Sequence, residues 1–176
     1  MKFDSFLLQE GKKIEKAEYE HVFRQGDSDK SLYFVQSGLL KVYYSFESCK
    51  KSVKSFIVPQ DIIGSLTSTC SEEGCSFSLL CLEPAVLIRI PFTKLLQYSQ
   101  QDHEIANSLI DSLLKLSMKK ERREYEFLCL SAEERYCLLA DTSPKLLEKV
   151  TQNDIARYLG VTPVGLSRIK NRVNNR

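Results

Sequence analysis

Thr151–Val173, TQNDIARYLGVTPVGLSRIKNRV, holds two start signals and one stop signal, and reading them decides the fold of the C-terminal part of the chain. Thr151 is placed to cap a helix, with Asp154 three residues on as a weaker form of the capping box. Ile155, Ala156 and Leu159 then recur on one helical face. Gly160 stops that helix, because glycine takes a left-handed position without steric cost. Thr162 caps a second helix, and Pro163 sits at its first position, where a missing N–H does no harm. Leu166, Ile169 and Val173 form the second apolar stripe. Small Ala156 admits close approach of the two helices, and Ile155, Leu159, Val161, Leu166 and Ile169 are expected to close the core between them.

Two such helices at this spacing form a helix-turn-helix pattern, in which the second helix enters the DNA major groove. The residues expected to meet DNA are Thr151 and Gln152 on the first helix, and Thr162, Pro163, Val164, Ser167, Arg168 and Lys170 on the second, with Arg172 beyond them. Their hydroxyls and cations suit phosphates and base edges. The competing reading is an ordinary helical hairpin with a solvated polar face. Cap, small residue, glycine, cap and proline all falling at the right offsets favour the first.

Working outward, composition narrows the class. The chain has 176 residues, 43% of them hydrophobic, enough for a core in one large domain or two small ones. The net charge is only +2, so the molecule as a whole is no polycation that coats DNA. Charge is uneven, however. From Lys145 onward there are seven cations (Lys145, Lys149, Arg157, Arg168, Lys170, Arg172, Arg176) against Glu148 and Asp154, a local excess of five that fits phosphate contact. No apolar run reaches the roughly 18 residues that span a bilayer, and the start lacks the apolar stretch of a secretion signal, so no membrane partner and a cytoplasmic location are expected. The six cysteines, Cys49, Cys70, Cys75, Cys81, Cys129 and Cys137, include no CxxC pair. They read as free thiols, several buried as small hydrophobes, rather than as zinc or iron–sulfur ligands. Cys70, Cys75 and Cys81 lie near one another in sequence, which leaves a redox role open. No metal site is expected.

Upstream, residues 1–20 suggest a short helix packed through Phe3, Phe6, Leu7 and Leu8, with Lys12, Lys13 and Lys16 on a wet surface. From Val22 to about Pro91 the period shortens. Turn signals at Gly26-Asp27, Ser37-Gly38, Ser48 to Lys51, Gln60-Asp61 and Glu73-Gly74 separate short runs, as in an all-β sandwich or barrel. Strands are expected at Leu32–Val35, Leu39–Phe46, Val53–Val58 and Ala85–Ile90, with Pro59 and Pro91 ending strands. FTKLLQYSQ from Phe92 is a short amphipathic helix. Ala106, Leu109, Leu113 and Leu116 then repeat at spacings of three, four and three, a coiled-coil seam. Ile105, Ile110 and Leu114 lie on a neighbouring face. One face can rest on the β-domain, and the other needs a partner. A parallel dimer supplies it economically; the C-terminal helices of the same chain are the alternative. Ser131 caps the next helix, and Thr142-Ser143-Pro144 turns the chain toward the final pair.

A β-domain, a long helix and a helix-turn-helix, in that order, resemble the family of the cyclic-AMP receptor protein and the fumarate–nitrate oxygen regulator (Crp–Fnr), from about residue 15 to the end. In the β-domain the resemblance rests on Gly26, Asp27, Tyr33, Phe34, Ser37, Gly38, Lys41, Asp61 and Gly64. In the C-terminal part it rests on Asp154-Ile155-Ala156, Leu159-Gly160-Val161-Thr162 and Leu166-Ser167-Arg168-Ile169, which is more specific. It implies an α+β architecture: a cyclic-nucleotide-binding-like β-roll (jelly roll) as sensor over residues 1–103, a dimerisation helix over 104–128, and a winged-helix-like helix-turn-helix domain over 129–176. It further implies a homodimer on a palindromic operator in double-stranded DNA, with RNA polymerase as a further partner and a small-molecule effector.

Two departures bear on function. The family's phosphate cassette follows its glycine with a glutamate for the ribose, and an arginine-serine pair further on holds the cyclic phosphate. Here Gly64 is followed by Ser65, and the arginine position falls on Cys75, followed by Ser76. A buried phosphate without a cation is costly. The cofactor expectation is therefore none certain, with cyclic AMP not bound in the usual way; Arg89, in a late strand, is not expected to replace the missing charge. In the second helix, Val164 stands where relatives often carry a glutamate that accepts from cytosine, and Gly165 costs about 1 kcal/mol of helix stability. Arg168 suits guanine and Val164 a thymine methyl. No β-wing is expected after this helix.

Other classes fit less well. A cupin-type enzyme needs clustered histidines and a carboxylate, whereas His21 and His103 are the chain's two histidines, and no nucleophile–base pair is evident. No catalytic residue is assigned. A degenerate family member acting through protein partners would not need the basic C-terminus and intact caps.

Overall fold

The computed structural model describes residues 3–47 and 51–175. It divides into two compact units, with the division inside the long helix at Leu114 and with residues 51–53 grouped with the second unit.

The N-terminal unit opens with α1 (Phe3–Glu10) and eight strands: β1 (Lys12–Lys16), β2 (His21–Phe23), β3 (Ser31–Ser37), β4 (Leu40–Ser45), β5 (Lys51–Ile57), β6 (Ile62–Ile63), β7 (Ser78–Cys81) and β8 (Ala85–Pro91). Helix α2 (Leu66–Cys70) interrupts them, and α3 (Phe92–Gln101) and the start of α4 (His103–Cys129) follow. The strands form two four-stranded sheets, ordered β1-β8-β3-β6 and β2-β7-β4-β5, with antiparallel pairing in every recorded register. The turns at Gly26, Gly38 and Gln60 all use left-handed backbone.

Leu32-Tyr33-Phe34-Val35 explains why one sheet has helices on its outer side. A strand with apolar residues at every position must be covered on both faces. Tyr33 and Val35 join Phe23, Leu40, Val42, Leu79 and Leu87 in the core between the sheets. Leu32 and Phe34 point the other way, with Ile88 and Ile90, into a second core closed by Phe6 and Leu7 of α1, Leu95 of α3, and Ile105 and Leu109 of α4. Tyr98 and Lys94 of α3 also hold Glu10, at 2.8 and 2.9 Å, and these partners pull the Glu10 carboxyl below its usual range, the Lys94 contact most.

The short helix expected within residues 1–20 is α1, which ends at Glu10. A side chain at position 11 would strike Ile88 Cγ2 at 2.3 Å and the Leu7 carbonyl at 2.6 Å, so the chain passes β8 through a glycine and continues as β1. β1, KKIEK, pairs in register with β8 from Lys12 opposite Arg89 to Lys16 opposite Ala85. Its lysines sit on a sheet edge, where they oppose unwanted strand addition. Strands β1, β2, β6 and β7 were not expected. The turn expected at Ser48 to Lys51, with Cys49 inside it, falls mostly outside the described residues.

In the second unit, the end of α4 leads to α5 (Ala132–Thr142), α6 (Pro144–Lys149), α7 (Gln152–Leu159) and α8 (Pro163–Asn174). Ser131 and Glu134 form a complete capping box at the start of α5, and Ser143 is the turn into α6. Tyr136, Leu139, Val150, Ile155, Ala156, Leu159, Leu166 and Ile169 are buried. Val161, expected among them, is half-buried. It follows Gly160, and the chain there has already turned outward toward the Thr162 cap.

Candidate nucleic-acid interface

The punctuation of the helix pair is built as its sequence indicates. Thr151 Oγ1 accepts from the Asp154 N–H at 3.2 Å, and Thr162 Oγ1 accepts from the Gly165 N–H at 3.1 Å. Gly160 has φ +73°, and a side chain there would also meet Phe127 at 3.0 Å. Each cap stabilises its helix by about 1 kcal/mol. Fully buried Ala156 and Leu159 lie on α7's inner face, and Leu166 and Ile169 on that of α8.

The face of α8 opposite Leu166 and Ile169 is open. Val164 is 62% exposed, and Thr162, Pro163, Ser167, Arg168 and Asn171 are exposed with it. Val164, Ser167, Arg168 and Asn171 follow the three-, four- and seven-residue spacing of a single helical face. Thr151 and Gln152 are exposed on α7. Two of the expected cations are held sideways. Lys170 is half-buried and donates to Gln152 Oε1 at 3.0 Å, so two residues expected to meet DNA meet each other. Arg172 Nε stands 3.1 Å from Glu133 Oε2. The side chains of Arg168 and Asn171 make no hydrogen bond or ion pair among the described residues. Asn171 was overlooked in the sequence; its signal is the seven-residue step from Val164.

Also overlooked was what fixes the back of this unit. Helix α7 ends with carbonyls that have no helical partner. Arg123 of α4 donates to the Tyr158 carbonyl, and Arg135 of α5 donates to the Leu159 carbonyl at 3.0 Å and the Leu130 carbonyl at 2.6 Å. The two guanidinium groups stack on Phe127, 4.2 and 4.7 Å from its centroid, and Arg123 also lies 3.7 Å from the Tyr158 ring centroid. Burial lowers the Arg123 pKa and raises that of Tyr158.

In the β-roll, Gly64, Ser65, Cys75 and Ser76 form one cluster. A side chain at Gly64 would collide with Leu32 and the Ser31 carbonyl, at 2.5 and 2.7 Å. Ser65 caps α2, accepts from the Ser76 N–H at 3.0 Å and lies 3.4 Å from Ser76 Oγ. The buried Cys75 thiol faces the Asp29 carbonyl at 3.7 Å. Arg89 is held by Ser31 Oγ at 2.9 Å and lies 3.8 Å from Asp29, which accepts from the Tyr33 hydroxyl at 2.7 Å. Burial and Asp29 push the Tyr33 phenol well above its ordinary value. The four residues thus offer hydroxyls and a thiol and no cation of their own, so they do not supply the charge partner that a cyclic phosphodiester needs.

Along α4, Leu109 is buried in the core of its own chain beside Ile105, Ala106 and Leu116 are half-buried, and Leu113 is exposed. Between Ile105 and Met118 of α4 the open large apolar side chains are Ile110, Leu113, Leu114 and Met118. Leu109 therefore belongs to the face resting on the β-roll, and the unpartnered face is rotated toward Ile110 and Leu114.

Of the cysteines, Cys75 and Cys81 are buried, Cys70 and Cys129 exposed and Cys137 half-buried, all as free thiols; Cys49 lies outside the described residues. Burial, with Glu20 adding to it, pushes the Cys81 thiol up to about 11. Among the described residues, no group of three His, Cys, Asp or Glu side chains could hold a metal ion, and no helix is long and apolar enough to cross a membrane.

A two-sheet roll followed by a long helix and a capped helix-turn-helix is the element order expected of a Crp–Fnr type regulator. Comparison with known proteins agrees. Residues 13–102 match the cyclic nucleotide-binding domain. The chain is 30% identical to the "Anaerobic regulatory protein" of Haemophilus influenzae, over 94% of this chain and 67% of that protein. It is 25% identical to the "Fumarate and nitrate reduction regulatory protein" of Salmonella typhi, over 94% and 69%. In fold it is similar to FixK2 from Bradyrhizobium japonicum, with TM-score 0.79 at 16% identity, covering 94% of this chain and 85% of that one. The chain belongs to the Crp–Fnr family of transcription regulators. It spans about two thirds of the length of these curated relatives.

Proposed function

We propose that this protein is a homodimeric regulator that binds a palindromic operator through α8, acts with RNA polymerase, and responds to a small molecule other than cyclic AMP. The reading rests most on the open face of α8, where Arg168 is exposed and Lys170 and Arg172 are each engaged by a side chain of the same unit. A single cation on an outward face can form a bidentate pair with guanine, which discriminates against other bases by about 1–3 kcal/mol. Thr162, Ser167 and the N-terminus of α8 suit phosphate contact. Dimerisation is supported by the exposed row Ile110, Leu113 and Leu114 on α4, an apolar face that water does not favour. Binding rather than catalysis is the expected mode of action.

The proposal about the effector is supported by the Ser65–Cys75–Ser76 cluster, whose groups cannot neutralise a phosphate. Cyclic AMP at millimolar concentration is expected to leave the melting temperature unchanged, since only a ligand that binds the folded state raises it; micromolar binding by titration calorimetry overturns this part. The DNA-binding part is tested by selection of duplexes from a random pool with the purified protein. A two-fold-symmetric sequence is expected, and Arg168→Ala is expected to lose the preference for guanine at one position per half-site. Migration as a monomer with no duplex selected at low ionic strength ends the proposal.

A further inference from the structure

We infer that Asn171 is a base-reading residue of this regulator, and that it selects an adenine–thymine pair beside the guanine met by Arg168. The inference rests on the DNA-binding reading above and extends it by a residue that the helix-turn-helix pattern does not single out.

Asn171 lies seven residues after Val164 and three after Arg168, so it continues the outward row of α8. Its amide is exposed and makes no hydrogen bond among the described residues. The residues on either side differ: Lys170 is drawn back to Gln152, and Arg172 to Glu133. The row Val164, Ser167, Arg168, Asn171 is thus one methyl-bearing group, one hydroxyl, one cation and one amide. An amide carries both a donor and an acceptor, which is what N6 and N7 of adenine require in the major groove. Three helical residues rise about 4.5 Å, against about 3.4 Å for one base-pair step. Asn171 therefore falls one to two pairs along from the base under Arg168. The side chain is short and uncharged, so it adds little to sequence-independent attraction, and its worth lies in discrimination.

The test is duplex selection with the wild type, Asn171→Ala and Arg168→Ala, each checked for helix content by circular dichroism. The wild type is expected to enrich an adenine–thymine pair one or two positions from the guanine that Arg168→Ala loses. Asn171→Ala is expected to lose roughly 5- to 150-fold of discrimination at that pair and to keep the guanine preference. Unchanged preference at every position overturns the inference and leaves the DNA-binding reading standing. So does uniform weakening across all sequences, which marks a phosphate contact. If the wild type selects no duplex, the underlying reading fails, and this one with it.

Discussion

Ser65 and Ser76 in the β-roll, and Ser167 and Asn171 on α8, are similar small polar residues with opposite surroundings. The first pair faces inward: Ser65 is 1% exposed, and the Ser76 N–H and hydroxyl are both within reach of its oxygen. The second pair stands on an open face. Polar groups that satisfy one another contribute to folding and leave little for a ligand, whereas polar groups held outward by capped, well-packed helices are available to one. In this chain the β-roll uses Ser65 and Ser76 for its own support, and the C-terminal region holds its polar set outward. Each region should therefore fail differently when altered.

The largest effect is expected at Leu159→Ala, which removes a fully buried side chain from the helix pair: about 2–5 kcal/mol by denaturant titration. Next, Arg123→Ala removes the donor to the Tyr158 carbonyl and the stack on Phe127, at about 1.5–3 kcal/mol. Arg168→Ala, on the same unit, should change stability by less than about 0.5 kcal/mol while altering base choice, and a larger loss would break the division between scaffold and reading face. In the β-roll, Ser65→Ala should cost about 1–2 kcal/mol, since it strands the Ser76 N–H, with the selected operator unchanged. A last effect, confined to alkaline pH, concerns Cys81. Its thiol is raised from about 9.0 to about 11, so the folded form stays protonated while the unfolded form ionises. Stability is then full below pH 9 and declines as pH rises from about 9 to about 11. Cys81→Ser should remove that part of the alkaline slope.

The legible parts of this molecule were those fixed by near neighbours in sequence. Caps at Thr151, Thr162 and Ser131, the stop at Gly160, and strands β3, β4, β5 and β8 depend on residues within a few positions of one another. β1 was missed because KKIEK looks solvated; its strand form comes from backbone pairing with β8, some 70 residues away. The pairing of Lys170 with Gln152 and the grip of Arg123 on Tyr158 span 18 and 35 residues and left no local trace. On α4 both candidate seams have helical spacing, and only the core around Phe6, Ile88 and Leu95 decides that Leu109 turns inward. Asn171 lay in plain view, but cations draw attention first in a basic segment.

Arg123 and Arg135 leave these two positions little freedom to drift. Lysine would keep the charge but supply neither the flat surface that lies on Phe127 nor the forked donors. A descendant sequence that exchanges either arginine must also refashion how α7 finishes, so the pair should change together with Phe127 or not at all.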